Sequence, residues 1–267
     1  MNERLFKAIL TYGARYRQEY LFEKYSCEYL LDDWREALMF FFGRACYQGR
    51  RDTLSAKVYE AAKDVLMPVL PLDAIFDNTH LEKWKIELDK RIGPGKGKAG
   101  KTRDVDMIIS TLMYLNRLPQ RNIIAYSVSS IRAHKTEDLY NELQRQKNAL
   151  GIIQVGEKVA SFYLRDLVTL FSLETLIPQS SLQCLQPIDT RVRQLAYKMK
   201  IVDIGANDSK IREAIIKLCI DRHASSLLFN QGAWYASMHS FSLLLDYLER
   251  YGLEHDLVSE LDVNNQI

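Results

Sequence analysis

Two side chains able to do covalent and electrostatic chemistry stand where helices are expected to begin. Lys158 lies in "GIIQVGEKVASFYLRDL", and Asp189 follows 31 residues later in "QPIDTRVRQLA". Lysine attacks carbon through its neutral amine. The positive end of a helix dipole and an apolar helix alongside suit that form, which makes Lys158 a candidate Schiff-base nucleophile. A carboxylate at a helix start meets exposed amide groups; it can steady positive charge on a reacting carbon or activate a nucleophile. Each residue also has a plain structural reading, Lys158 as a solvated surface lysine and Asp189 as a helix cap.

The elements that must position these residues are helices. Gly151 and Gly156 mark a tight turn between a short helix ending at Leu150 and a new one starting near Lys158, with exposed backbone amides suited to phosphate. "GEKVASFYLRDLVTLFSLETL" is apolar nearly all round and reads as a buried central helix. "DDWREALMFFFGRACYQ" has an Asp cap signal, and "TLSAKVYEAAKDVLMPVLP" is expected to start at Thr53 or Ser55 and stop at Pro68 and Pro71. "TRDVDMIISTLMYLNRLP" puts Val105, Ile108, Ile109, Leu112 and Leu115 on one face and ends before Pro119. "KTEDLYNELQRQKNALG" is amphipathic and is expected to end at Gly151. "DTRVRQLAYKMKIV", "DSKIREAIIKLCI" and "SMHSFSLLLDYLERYG" continue the series, and "LDVNNQI" reads as a frayed tail. With no alternating strand pattern, the 267 residues predict an all-α fold of roughly ten helices.

The turn resembles the helix–hairpin–helix of the base-excision DNA glycosylases, whose motif reads L-P-G-V-G-x-K-x-A. In "IIQVGEKVA", Val155, Gly156, Lys158 and Ala160 match, while Ile153 and Gln154 replace the usual Pro and first Gly. The family's later V-D-T-H or V-D-x-R segment is matched by "QPIDT", with Asp189 in the carboxylate position. Upstream, "FFFGRACYQGRRDTLSAKVYEAAKDVL" looks like the family's early helix pair, with Gln48 at the polar DNA-probing turn. The resemblance covers about Asp32 to Leu248. It implies a two-lobed all-α fold: a central lobe over about 35–150, a hairpin and catalytic segment at 151–200, and a second lobe from 1–34 with 201–267. It implies base excision with Lys158 and Asp189 as catalytic residues in a cleft between the lobes, and strand cleavage by elimination where Lys is present. The DNA contacts it implies are Gln48, Gln154, Val155, Gly156, Lys98, Lys101 and Arg191. The flipped base needs an aromatic-lined pocket, for which "RHASSLLFNQGAWYASM" offers Phe229, Asn230, Gln231, Trp234 and Tyr235, against ordinary core packing. The Lys-to-Asp interval is longer than in endonuclease III-like enzymes and closer to an archaeal oxidised-guanine branch, so oxidised guanine is the leading substrate expectation.

"GKGKAGKT" at 95–102 spells the phosphate-cradling G-x-x-x-x-G-K-[ST]. A true P-loop follows a buried strand, whereas "EKWKIELDKRIGP" is charged and helical in spacing; the family resemblance implies instead a DNA-approaching loop here, against a disordered basic loop with no single ligand. Arg50, Arg51, Lys96, Lys98, Lys101, Arg103, Arg191 and Arg193 are candidates for one basic face, against scattered solvated charge. The net charge of +2 neither demands nor excludes nucleic acid. The four cysteines, Cys27, Cys46, Cys184 and Cys219, form no C-x-x-C pair, and His223 and His239 have no second ligand at metal spacing, which argues against zinc or an iron–sulfur cluster. No cofactor is expected beyond a monovalent cation at the hairpin backbone. The charged N-terminus is neither signal peptide nor membrane span. The expectation is a cytoplasmic monomer, nucleoid-associated if prokaryotic, whose partner is double-stranded DNA carrying a damaged or modified base. Its rivals are a monofunctional glycosylase in repair or defence, a non-catalytic hairpin DNA-binding protein, and a nucleotide-binding protein.

Overall fold

The computed structural model describes residues 3–47, 52–68, 78–93 and 101–239. In chain order the α-helices are α1 (Glu3–Arg17), α2 (Cys27–Asp32), α3 (Trp34–Ala45), α4 (Asp52–Leu66), α5 (Asn78–Ile92), α6 (Lys101–Arg117), α7 (Ile123–Arg132), α8 (Thr136–Leu143), α9 (Glu157–Leu170), α10 (Thr190–Lys198), α11 (Asp208–Ile220) and α12 (Ser226–His239). A π-helical turn, Gln18–Phe22, continues α1, and short 3₁₀ turns occupy Glu174–Leu176 and Gln179–Leu185. The described residues contain no β-strand, only an isolated bridge between Gln144 and Ile152. The protein is all-α, as its sequence pattern predicts.

The chain divides into two compact units, Tyr25–Cys184 and Met1–Lys24 with Leu185–Ile267. The expected 151–200 segment is therefore split. The hairpin stays with the helices before it, whereas Ile188 and Val192 enter the core of Phe6 and Phe229.

In the Tyr25–Cys184 unit, α9 is the central element. Every residue from Val159 to Leu170 is buried. Phe40 and Phe41 of α3 meet the Tyr163 ring edge-on. Burial requires a partner for the Tyr163 hydroxyl; it pairs with Ser127 Oγ at 2.9 Å and reaches the Ile123 carbonyl oxygen at 3.2 Å. Asp166, also on α9, is fully buried between Arg44 Nε at 3.0 Å and Arg165 Nη2 at 2.8 Å. Removing one partner of such a pair leaves a buried charge uncompensated, so this contact fixes α3 against α9. Asn122 caps α7 by accepting the amides of Ile124 and Ala125, and donates Nδ2 to the Leu30 and Leu31 carbonyls, joining α7 to α2.

The other unit packs α1, α10, α11 and α12 around Leu5, Ile9, Ile188, Val192, Leu195, Ile211, Ile215, Phe229 and Ala233. α1 and α12 approach closely because glycine sits at the crossing. A Cβ on Gly232 would overlap the Ile9 carbonyl, and one on Gly13 would overlap the Leu228 carbonyl.

Several boundaries differ from expectation. α9 ends at Leu170, with Glu174–Leu176 in a separate 3₁₀ turn, and α12 begins at Ser226 rather than Ser237. α8 stops at Leu143, well before Leu150 and Gly151, because Gln144 turns extended and its strand-like bridge to Ile152 replaces the helix. α4 begins at Asp52, so Thr53 and Ser55 lie inside it, with Ser55 fully buried. α1, α2 and α7 were not anticipated; the Ser26 cap of α2 and the Asn122 cap of α7 are their local signals. Of "SMHSFSLLLDYLERYG", only Ser237 to His239 are described, as the end of α12; the remainder and "LDVNNQI" lie outside the described residues.

Candidate functional site

The hairpin is built from its backbone outward. The Ile152 amide donates to the Leu143 carbonyl at 3.0 Å, which folds the chain back beside the end of α8. Gly151 is required there, since a Cβ would stand 2.6 Å from the Gln144 carbonyl. α6 holds both sides of the bend. Ser110 Oγ accepts the Ile153 amide at 3.0 Å, and Arg117 donates to the Leu150 carbonyl. Gln154 then adopts a left-handed φ of 66°, which reverses the chain, and Val155 is buried as its anchor.

Gly156 caps α9 and, being glycine, brings no side-chain cap to the amides there. The protein's own packing does not explain this glycine. Its φ of −108° suits any residue, and among the described residues nothing lies within 4 Å of where a Cβ would stand. The backbone is thus open to close approach from outside, next to uncapped amides at the positive end of a helix dipole. Lys158, half-buried, is the second residue of α9, and among the described residues its ammonium makes no ion pair or hydrogen bond. Its neighbour Glu157 is paired with Lys147 at 3.5 Å. The Gln154 Nε2 group is buried with no hydrogen-bond partner among the described residues.

Asp189 caps α10. Its backbone is extended, and Oδ1 accepts the Val192 amide at 2.8 Å. The residue is half-buried, and Oδ2 accepts no hydrogen bond among the described residues. The cap reading of Asp189 is realised in full, and one carboxylate oxygen remains for other work. Lys158 belongs to the Tyr25–Cys184 unit and Asp189 to the other.

No family model, curated protein or solved structure matches this chain.

The remaining expected residues fall into distinct settings. Arg191 Nη1 donates to the Ser237 carbonyl at 3.1 Å and lies 2.9 Å from Met238 Sδ, so it closes the end of α12. Arg193 is paired with Asp208 at 2.6 Å, and that hydrogen bond raises its guanidinium above the ordinary value. Phe229 is buried and stacks on Phe6 at 5.4 Å, a core role. Gln231 is fully buried and accepts Arg17 Nε at 2.7 Å. Trp234 is half-buried, its ring edge-on to Tyr16 and Tyr20. The Tyr235 hydroxyl donates to Glu19 at 2.9 Å, and burial, with that carboxylate, pushes the phenol up to about 12. Gln48 and Lys98 lie outside the described residues; Lys101 opens α6, but its side chain is outside them too.

Among the described residues no group of three or more His, Cys, Asp or Glu is arranged to hold a metal ion, and none of the four cysteines forms a disulfide. No described helix is long and apolar enough to cross a membrane. Sequence reasoning missed Ser110 and Arg117, whose contacts with the hairpin span 43 and 33 residues and leave no local pattern.

Proposed function

We propose that this protein is a helix–hairpin–helix DNA base-excision glycosylase with an associated abasic-site lyase step, acting on a duplex that carries a flipped, damaged base. The observation that carries the reading is Gly156, which among the described residues has open space where a Cβ would stand; it begins α9 without a side-chain cap of its own, two residues before a lysine that pairs with no described residue. A DNA backbone phosphate fits that setting, because it approaches main chain closely and accepts from helix N-terminal amides.

In the proposed reaction the neutral Lys158 amine forms a bond to the sugar C1′ as the bond from C1′ to the base breaks. The base leaves with the electron pair and takes up a proton. Positive charge on the sugar is steadied by the Asp189 carboxylate. The sugar ring opens to an imine, loss of a C2′ proton expels the 3′ phosphate, and water hydrolyses the imine to return lysine. Oxidised guanine is the base we propose first, on the length of the interval from Lys158 to Asp189. Incubation with a panel of single-lesion duplexes, with base release scored by mass spectrometry, tests the reading. Release from at least one lesion, lost in Asp189→Asn, is expected; no release across the panel rejects it.

One observation favours a second reading. Asp189 Oδ1 is already used as a helix cap, which is what a non-catalytic hairpin clamp would need of it. Such a protein would bind duplex DNA and release nothing.

A further inference from the structure

The segment leading into Asp189 is gripped by buried polar side chains that the proposed chemistry does not use. Arg212 on α11, 8% exposed, donates Nε to the Gln186 carbonyl at 3.1 Å. Asn230 on α12, fully buried, donates Nδ2 to the Pro187 carbonyl at 3.2 Å. Gln186 is itself fully buried and donates Nε2 to Ser226 Oγ at 3.0 Å. Ile188, next in the chain, is locked in the apolar core. Pro187 adds a fixed φ.

A helix cap alone does not need this. The Asp189–Val192 bond is local, and Asn207 on α11, Asp33 on α3 and Ser26 on α2 likewise cap through their own first turns; Asn122 on α7 adds long-range bonds, and it makes them with its own side chain. Buried polar groups are costly unless satisfied, and packing with apolar side chains of similar size is often as stable. What the polar grip supplies is a defined position for two successive carbonyls, and therefore for the residue that follows them.

We infer that Arg212 and Asn230 are positioning residues for Asp189, fixing the Gln186–Pro187 backbone so that the carboxylate keeps Oδ1 on the Val192 amide and holds Oδ2 for the reacting sugar. This rests on the glycosylase reading of Asp189. A displaced charge loses much of its effect on a transition state, so loosening the grip lowers the chemical step and leaves DNA binding, carried elsewhere, intact.

The test uses the full chain with Asn230→Leu and Arg212→Lys, and with Tyr197→Phe as a control that removes a bond at the far end of α10, from the Tyr197 hydroxyl to the Ala206 carbonyl. Single-turnover base release at saturating protein is expected to fall roughly ten- to a hundredfold in the first two variants, with DNA affinity within about twofold of wild type, and to stay near wild type in the control. Release at the wild-type rate in a folded variant overturns the inference. Should wild type release no base, the glycosylase reading has failed, and hydrogen exchange at the Val192 amide decides the grip by itself. Exchange roughly tenfold faster in Asn230→Leu, with the Lys210 amide unchanged, supports it; unchanged Val192 exchange overturns it. If Asn230→Leu does not fold, Arg212→Lys is read by the same two measurements.

Discussion

Ser110 Oγ accepts the Ile153 amide at 3.0 Å, so the middle of α6 holds the hairpin one residue before its left-handed turn at Gln154. Ser110→Ala leaves that part-buried amide without its acceptor, at a cost of about 1–3 kcal/mol. Urea unfolding is expected to show this loss. Fluorescence anisotropy with duplex DNA at one fixed salt concentration is expected to show affinity severalfold weaker. Ser110→Thr keeps the acceptor and is expected to restore both. Wild-type affinity in a Ser110→Ala protein would detach the hairpin's DNA role from α6.

The crossing of α1 and α12 depends on Gly232. Its added Cβ would overlap the Ile9 carbonyl, and backbone cannot swing aside as a side chain can. Gly232→Ala is expected to destabilise the protein by about 1–3 kcal/mol or more, as overpacking does. Lys7→Ala, on the exposed face of the same α1, is expected to change stability by less than about 0.5 kcal/mol. Thermal unfolding of the pair measures the contrast.

Asp33 caps α3 through the Arg35 amide at 2.8 Å and receives the Arg35 guanidinium at 2.6 Å. Those hydrogen bonds hold its carboxyl below the ordinary value. A depressed folded-state value means that the contribution is present above the unfolded carboxylate range, near about 3.9, and is lost as pH falls through the folded value. Asp33→Asn is expected to lower the neutral plateau of a stability-against-pH curve and flatten its acid limb, with the two proteins converging at low pH. An acid limb as steep as wild type would show that this pair does not contribute to it.

The fold was legible where periodicity is strong and local. α9 reads as buried because apolar residues surround most of it from Phe162 to Leu170, its Arg165 and Asp166 being buried as an ion pair, and α11 follows from "DSKIREAIIKLCI" to the residue. Asp189 as a helix start was legible for the same reason, since a cap is a short-range device. The end of α8 was not, because the bridge from Gln144 to Ile152 is set by a chain reversal that overrides an amphipathic pattern. The grip of Arg212 and Asn230 on residues 186 and 187 was invisible too; its partners lie 26 and 43 residues away and meet only in the folded core. "GKGKAGKT" follows α5 and its last two residues open α6, with no strand before it among the described residues, so the helical context needed to set aside the P-loop spelling was already in the sequence.

The central claim is that Lys158 attacks the sugar. Borohydride reduction during incubation with a lesion-bearing duplex, followed by peptide mapping, tests it most directly. The account predicts a covalent protein–DNA species with the DNA on Lys158, absent in Lys158→Gln. Equal trapping in Lys158→Gln, or a cross-link mapped to another lysine, would contradict it.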